Sequence, residues 1–298
     1  MNFFKFNIDQ AIRNVQNDFP FGQEYMDPFN LKYKYIISEI LQFAPPPSNI
    51  LSIGAGPCDL EAILADMYFQ VTAIDDLNDH WHLLGNNRIR IKEFAQRHNV
   101  DLLESSVKGI KNKDEQYDVV LLLDIIEHIV GSPRELLNYA ISSLKPNGLL
   151  IIQTPNTASL NHRIKIIFGK SNQVDLNFIF WNIGEYRSHF REYTRFEMEQ
   201  MLSFENLINI NSKMRNILLY LIPHKRFLEK VVFITYRLIC DLWPNFRDSI
   251  LISGRKPSNW SSIEPSLSKF SISYPHIIKY NYDNETDEDY LIKLADKI

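Results

Sequence analysis

The sequence predicts an α/β chain organised around a doubly wound, mostly parallel sheet with helices on both faces. Short apolar runs alternate with helical segments, and turns rich in proline or glycine separate them. One run, Tyr117 to Leu123, is apolar without alternation, as a strand buried on both faces reads.

The elements follow in order. Residues 31–43, LKYKYIISEILQF, place apolar side chains at helical spacing, and Pro45-Pro46-Pro47 ends that helix. Ile50 to Ile53 reads as a strand ending in Gly54, with helical sequence from Leu60. Val71 to Ile74 is a second strand, ending at Asp75-Asp76. A polar helix over 86–98 leads to a third strand, VDLLES, and Tyr117 to Leu123 is the fourth. Ser132-Pro133-Arg134-Glu135 predicts a helix start with an N-cap serine, a proline at the first position and a capping-box glutamate, the helix running to Leu144. Lys145-Pro146-Asn147-Gly148 then launches the fifth strand, LLIIQT. Thr194-Arg195-Phe196-Glu197 is a second capping box, opening a helix through about Leu202. Strands are expected near 205–212 and over 248–254. Between them, 215–243 is apolar but interrupted by charges, and packing on the domain is the expected fate of its helices.

Composition excludes several classes. The chain has 298 residues, 45% hydrophobic and 23% charged, enough to bury a full core. Lys+Arg 32 against Asp+Glu 36 gives a net charge of -4, which leaves no footprint for nucleic acid. Cys58 and Cys240 are too few for a disulfide framework or a cysteine-rich zinc site. The opening MNFFKFNIDQAIRN lacks the apolar stretch of a secretory signal. No run reaches the ~18 apolar residues that span a bilayer. The expectation is a soluble, cytoplasmic protein.

Ligands on such a sheet bind at the carboxyl ends of the strands. Gly54-Ala55-Gly56 follows the first strand, where missing Cβ atoms let a ligand approach the backbone. Asp75 follows about 20 residues later, the spacing at which a carboxylate accepts ribose hydroxyls. A dinucleotide site of the G-x-G-x-x-G type wants glycine at position 59, where Asp59 stands. A carboxylate beside a pyrophosphate is repelled, whereas a zwitterionic sulfonium tolerates it. The residues therefore tilt from NAD toward S-adenosylmethionine.

From Ile50 to Asn156 the chain resembles the class I S-adenosylmethionine-dependent methyltransferases. Within them it is similar to the branch containing the ubiquinone-biosynthesis O-methyltransferases, also called methyltransferase type 23. The resemblance rests on ILSIGAGPCDLEAILA, VTAIDD, YDVVLLLDIIEHI, LKPNGLLIIQTPN and, more weakly, HFREYTRFEMEQML. It implies a Rossmann-like, seven-stranded sheet whose last strand is inserted antiparallel. It also implies that Gly54, Ala55 and Gly56 hold the cofactor's methionine part, Asp75 with Asp76 its ribose, and that Leu123-Asp124 lie beside the transferable methyl. Ser52, Cys58 and Ser106 depart from family positions that often hold an acid, a third glycine and an adenine-binding acid. Trp81 or His82 is an alternative adenine contact.

In ubiquinone-type relatives an acid with a Glu-His pair can hold a divalent metal, which marks Asp124, Glu127 and His128 as the metal candidates, although no metal is the favoured expectation. His128 is the first candidate for the base that removes the acceptor's proton and His189 the second, since imidazole is mostly neutral at working pH. The domain reading is 1–48 as a helical segment covering the cofactor site and 49–214 as the core. After these come 215–246 as a helical insertion, serving as acceptor lid or membrane-surface contact, 247–257 as the last strand and 258–298 as an appendage. The implied activity is methyl transfer to an oxygen of a small molecule, sugar or lipid-linked intermediate. The rivals are a noncatalytic cofactor-binding module and an NAD-dependent oxidoreductase. Base methylation of nucleic acid is disfavoured, because Gln153-Thr154-Pro155-Asn156 stands where those enzymes carry an Asn/Asp-Pro-Pro-aromatic tetrapeptide.

Overall fold

A computed structural model describes residues 7–109, 114–217, 227–266, 273–274 and 278–279. The chain opens with helices α1 (Ile8–Asp18), α2 (Gln23–Met26) and α3 (Asn30–Phe43). The core then alternates β1 (Asn49–Ile53), α4 (Asp59–Asp66), β2 (Gln70–Asp75), α5 (Asn87–Arg97), β3 (Asp101–Glu104) and β4 (Tyr117–Leu123). Next come α6 (Arg134–Ser143), β5 (Leu144–Pro155), α7 (Leu160–Ile167), α8 (Leu176–Phe180) and α9 (Arg195–Phe204). The first unit ends with β6 (Ile208–Arg215), α10 (Phe227–Leu242) and β7 (Ser249–Arg255).

The seven strands run in the order β3-β2-β1-β4-β5-β7-β6. β1 to β5 pair in parallel, and β7 is inserted antiparallel between β5 and β6. This is the doubly wound, Rossmann-like sheet that the alternating pattern predicts. Along β4 the side chains divide between two cores: Val119 and Leu121 pack with α1, α3, α4 and α5, while Val120 and Leu122 pack with α6 and α9. Apolar burial on both faces explains why the run reads as continuously hydrophobic.

Several boundaries differ from the sequence expectation. α6 starts at Arg134 with Pro133 at its cap, and the Ser132 hydroxyl accepts from the Arg134 N–H at 3.3 Å, so the four residues form no capping box. The box at Thr194 does form: Thr194 Oγ1 accepts from the Glu197 N–H and Glu197 Oε2 accepts from the Thr194 N–H. β6 lies about three residues later than expected, on the sheet edge, and its pairing to β7 shifts register between Ile208 and Asn211. Polar residues on both sides of an edge strand blur its start.

The insertion also departs from expectation. α10 buries Cys240 but leaves Phe227, Leu228, Val232 and Leu242 exposed, so these four side chains do not pack on the domain as expected. Residues 218–226 of that insertion, and the acidic YDNETDEDY segment of the appendage, lie outside the described residues. Residues 261–298 form a separate compact unit, in which β8 (Ser273–Tyr274) pairs antiparallel with β9 (Ile278–Lys279). No helix among the described residues is long and apolar enough to cross a membrane.

Candidate functional site

The turn from β1 to α4 carries the predicted glycines. Gly54 has φ +75° and Gly56 φ +55°, both in the left-handed region that glycine enters freely. At Gly54 the reason is also steric, because a Cβ there would lie 2.4 Å from Ile125 Cδ1. The glycine turn and the turn after β4 therefore approach one another directly. The Gly54 and Ala55 N–H groups both reach the Ile74 carbonyl at the end of β2.

Asp75 ends β2 beside that turn. Its Oδ2 accepts from the Gly56 N–H at 2.8 Å and its Oδ1 from the Leu77 N–H at 2.7 Å. Burial pushes its carboxyl up to about 6, and the two backbone bonds oppose that rise. Asp76 is oriented differently: Arg187 bridges it at 2.7 Å to Asp79 at 2.9 Å. Trp81 packs against Phe21, Tyr25 and His82, joining the N-terminal segment to the loop after β2. His82 is buried, and burial lowers its pKa. Ser106 is exposed.

After β4, Leu123 is followed by Asp124 with φ +51°. The Asp124 carboxylate pairs with Lys32 of α3, 92 residues earlier in the chain. Burial works against the Lys32 charge, but Asp124, Asp59 and Glu127 outweigh it and raise the pKa. Tyr33, the next residue of α3, donates its hydroxyl to Asp59. Asp59 therefore faces α3, and burial raises its carboxyl. Glu61, fully inside the first turn of α4, accepts from Ser52 Oγ at 2.5 Å. Burial, with Asp59 second, pushes Glu61 up to about 8.

The residues that could act on an acceptor lie beyond Asp124. Glu127 is 0% exposed; Oε2 accepts from Thr154 Oγ1 at 2.9 Å, and Oε1 has no hydrogen-bond partner among the described residues. Burial, with Asp124 second, raises its carboxyl. The Glu127 carbonyl accepts the N–H groups of Phe190 and Arg191, tying down the segment that carries His189. His128 and His189 come together as edge-to-face rings with centroids 5.0 Å apart. His128 Nδ1 bonds the Arg187 carbonyl at 3.0 Å and His189 Nδ1 bonds Glu192 Oε1 at 2.9 Å. A carbonyl and a carboxylate only accept, so both Nδ1 atoms carry a proton, and in the neutral rings Nε2 is the atom that can take one. Burial, then His189, lowers the His128 pKa; the bond to Glu192 raises that of His189. A cavity of about 270 Å³ adjoins His189, lined also by His162, Lys165, Asn172, Phe178 and Glu192.

The predicted metal set does not assemble, since Lys32 takes the Asp124 carboxylate. Glu127, His128 and His189 instead bring one ligand-capable atom each within 4.8 Å of one another. Three donors fall short of a closed structural site.

The sequence reading missed Lys32, Glu61, Arg187 and Glu192. A signal existed for Glu61, an acid two residues into a helix whose neighbours Leu60, Ala62, Ile63 and Leu64 are all apolar. For the others the partner lies on another element, and no local pattern announces it.

A family model described as a methyltransferase domain matches residues 24–210. Ubiquinone biosynthesis O-methyltransferases are similar to this chain: that of Rickettsia typhi is 32% identical over 142 residues, 46% of this chain and 54% of the relative. The Rickettsia prowazekii protein is also 32% identical, over 46% of this chain and 53% of its own length. The chain thus spans about half the length of these curated relatives. Among solved structures, phosphoethanolamine N-methyltransferase 2 of Haemonchus contortus, in complex with S-adenosyl-L-methionine, aligns with a TM-score of 0.47 at 13% identity, covering 75% of this chain and 52% of that one. The 1,6-didemethyltoxoflavin-N1-methyltransferase of Burkholderia thailandensis aligns with a TM-score of 0.47 at 14% identity, over 76% of this chain and 78% of that one. With the family model covering more than half its length, the chain belongs to the methyltransferase domain family, the class I S-adenosylmethionine-dependent group.

Proposed function

We propose that this protein is an S-adenosylmethionine-dependent O-methyltransferase whose acceptor is a small molecule, a sugar or a lipid-linked intermediate. The observation that carries the reading is the charge of the cleft at the strand ends. Asp59, Glu61, Asp75 and Glu127 are carboxyls that burial raises, placed in the turns and helix starts after β1, β2 and β4, and the ammonium of Lys32 pairs with Asp124 among them. Desolvation is the main cause of each rise, and a further positive charge brought beside these carboxyls would favour their ionised forms. A ligand bearing a sulfonium and an ammonium supplies it; a pyrophosphate does the opposite. The residues present thus fit the cofactor: Gly54, Ala55 and Gly56 would cradle its methionine part, Asp75 its ribose, and Lys32 offers a cation for its carboxylate. The O-methyltransferase names of the Rickettsia relatives support oxygen as the acceptor atom.

When bound, the cofactor supplies an activated methyl on sulfur. The chain's own residues must align the acceptor, exclude water and take one proton. His128 Nε2 is the first site for the acceptor's hydroxyl proton. Burial and His189 oppose the positive charge so formed, while the Arg187 carbonyl, Asp79 and Asp124 favour it. His189, next to the cavity and oriented by Glu192, is the second site. Incubation with labelled cofactor and a panel of phenols, sugars and lipid-linked alcohols tests the reading. His128→Gln is expected to lower turnover about 100-fold with cofactor affinity unchanged. Equal turnover in His128→Gln and in His189→Gln would remove the base assignment.

A peripheral membrane contact is supported by the exposed apolar side chains of α10, among them Phe227, Leu228, Val232 and Leu242. Wild type should then co-sediment with anionic liposomes and a folded variant lacking 227–242 should not. Sedimentation of that variant would refute the contact.

A further inference from the structure

The glycine turn is braced from beneath by two residues that flank it. Ser52 lies on β1, two residues before Gly54, and Glu61 is the third residue of α4, directly after the turn. Both are 2% exposed, and the Ser52 hydroxyl donates to Glu61 Oε1 at 2.5 Å. The other carboxyl oxygen, Oε2, is buried and has no hydrogen-bond partner among the described residues. Leaving a buried carboxyl oxygen unpaired is costly, and nothing in the packing of α4 on the sheet calls for an acid there. The surroundings make the cost larger, because Asp59 is two residues away and raises the Glu61 carboxyl further. A buried, half-paired acid at the base of a ligand-binding turn is what a cationic ligand group completes.

We propose that Glu61 is the anionic subsite for the α-ammonium of the cofactor, reached directly or through one water and held in place by Ser52. The chain thereby supplies from α4 a carboxylate beneath the turn, at a point where β1 offers only a hydroxyl. This assignment rests on the cofactor reading above. It also explains why serine at position 52 is compatible with binding.

The test uses the full-length protein and three titrants in a calorimeter: S-adenosylmethionine, S-adenosylhomocysteine and 5′-methylthioadenosine. The first two carry the ammonium and the third does not. Glu61→Gln keeps the shape and the Ser52 contact but cannot ionise when the ammonium binds. It is expected to weaken the first two titrants about 10-fold or more and to leave the third within about 2-fold, the loss typical of one charge-assisted hydrogen bond. The double variant Ser52→Asp/Glu61→Ala moves the carboxylate to the strand and should recover most of the loss. Equal weakening of all three titrants, or of none, would overturn the subsite. If Glu61→Gln does not fold, Ser52→Ala replaces it, and unchanged affinity for the two ammonium-bearing titrants would overturn the proposal instead. Failure of wild type to bind S-adenosylmethionine would overturn the cofactor reading and the subsite with it, an outcome separate from the variant results.

Discussion

Gly54→Ala isolates how closely the glycine turn and the β4 turn are packed. At φ +75° an L-residue pays about 1–2 kcal/mol of backbone strain. The new Cβ would lie 2.4 Å from Ile125 Cδ1, 3.2 Å from Cγ1 and 3.3 Å from Cβ, against the 3.5–4.0 Å of a relaxed carbon contact. Rotating the Cδ1 methyl away leaves the two inner carbons still crowded, so Ile125 must shift as a whole, at about 1–3 kcal/mol. The expected destabilisation is about 2–5 kcal/mol in total. Gly56→Ala is the internal control: φ is +55° and a Cβ meets nothing within 4 Å, so only the strain of about 1–2 kcal/mol applies. Urea unfolding followed by circular dichroism gives both values. Adding Ile125→Ala to Gly54→Ala should cost less than the sum of the single changes, because the overlap disappears. Equal destabilisation by the two alanine variants, or strict additivity in the double variant, would refute the steric argument.

Other outcomes follow from the same site. Glu61 is raised in the fold from 4.5 to about 8, so the native state holds a proton that the unfolded chain has released. That contribution is complete below pH 4.5 and is lost as pH rises toward 8; Glu61→Gln, which cannot ionise, should gain on wild type across this window by about 5 kcal/mol. Parallel stability curves for the two proteins would contradict it. Asp75 is raised from 3.8 to about 6, and as a ribose acceptor it must be ionised, so cofactor affinity should fall as pH drops below about 6 and the fall should vanish in Asp75→Asn. An acid limb that persists in the variant would assign it elsewhere. Thr194→Ala removes a complete capping box and should cost about 1 kcal/mol by thermal or urea unfolding; no change would mean that tertiary packing alone holds α9.

Much of the sheet is legible in the sequence because each parallel strand is short, apolar on both faces and closed by a turn signal. Ile50–Ile53 stopping at Gly54 and Val71–Ile74 stopping at Asp75 are local facts that need no knowledge of the rest of the chain. Thr194 and Glu197 cap a helix through residues three apart, again within reach of a pattern. Ser132 shows the limit: its residues match the same template, yet the helix begins one residue beyond the proline and the serine reaches only Arg134. The electrostatics of the cleft are not local at all. Lys32 meets Asp124, Arg187 meets Asp76, and Glu127 holds the segment before Tyr193 only because the fold returns distant elements to one end of the sheet. His128 and His189 were each visible as imidazoles beside family motifs, but their edge-to-face pairing depends on that return. The insertion was the least legible part, since an apolar helix reads the same whether its face is covered or exposed.

Calorimetric titration of S-adenosylmethionine into wild type and Asp75→Ala, with NADH as a control ligand, tests the central claim most directly. A carboxyl-rich cleft behind a glycine turn should give saturable binding of the sulfonium cofactor, no binding of NADH, and affinity at least about 10-fold weaker in the variant. Absence of binding in wild type, or equal affinity in wild type and Asp75→Ala, would contradict the account.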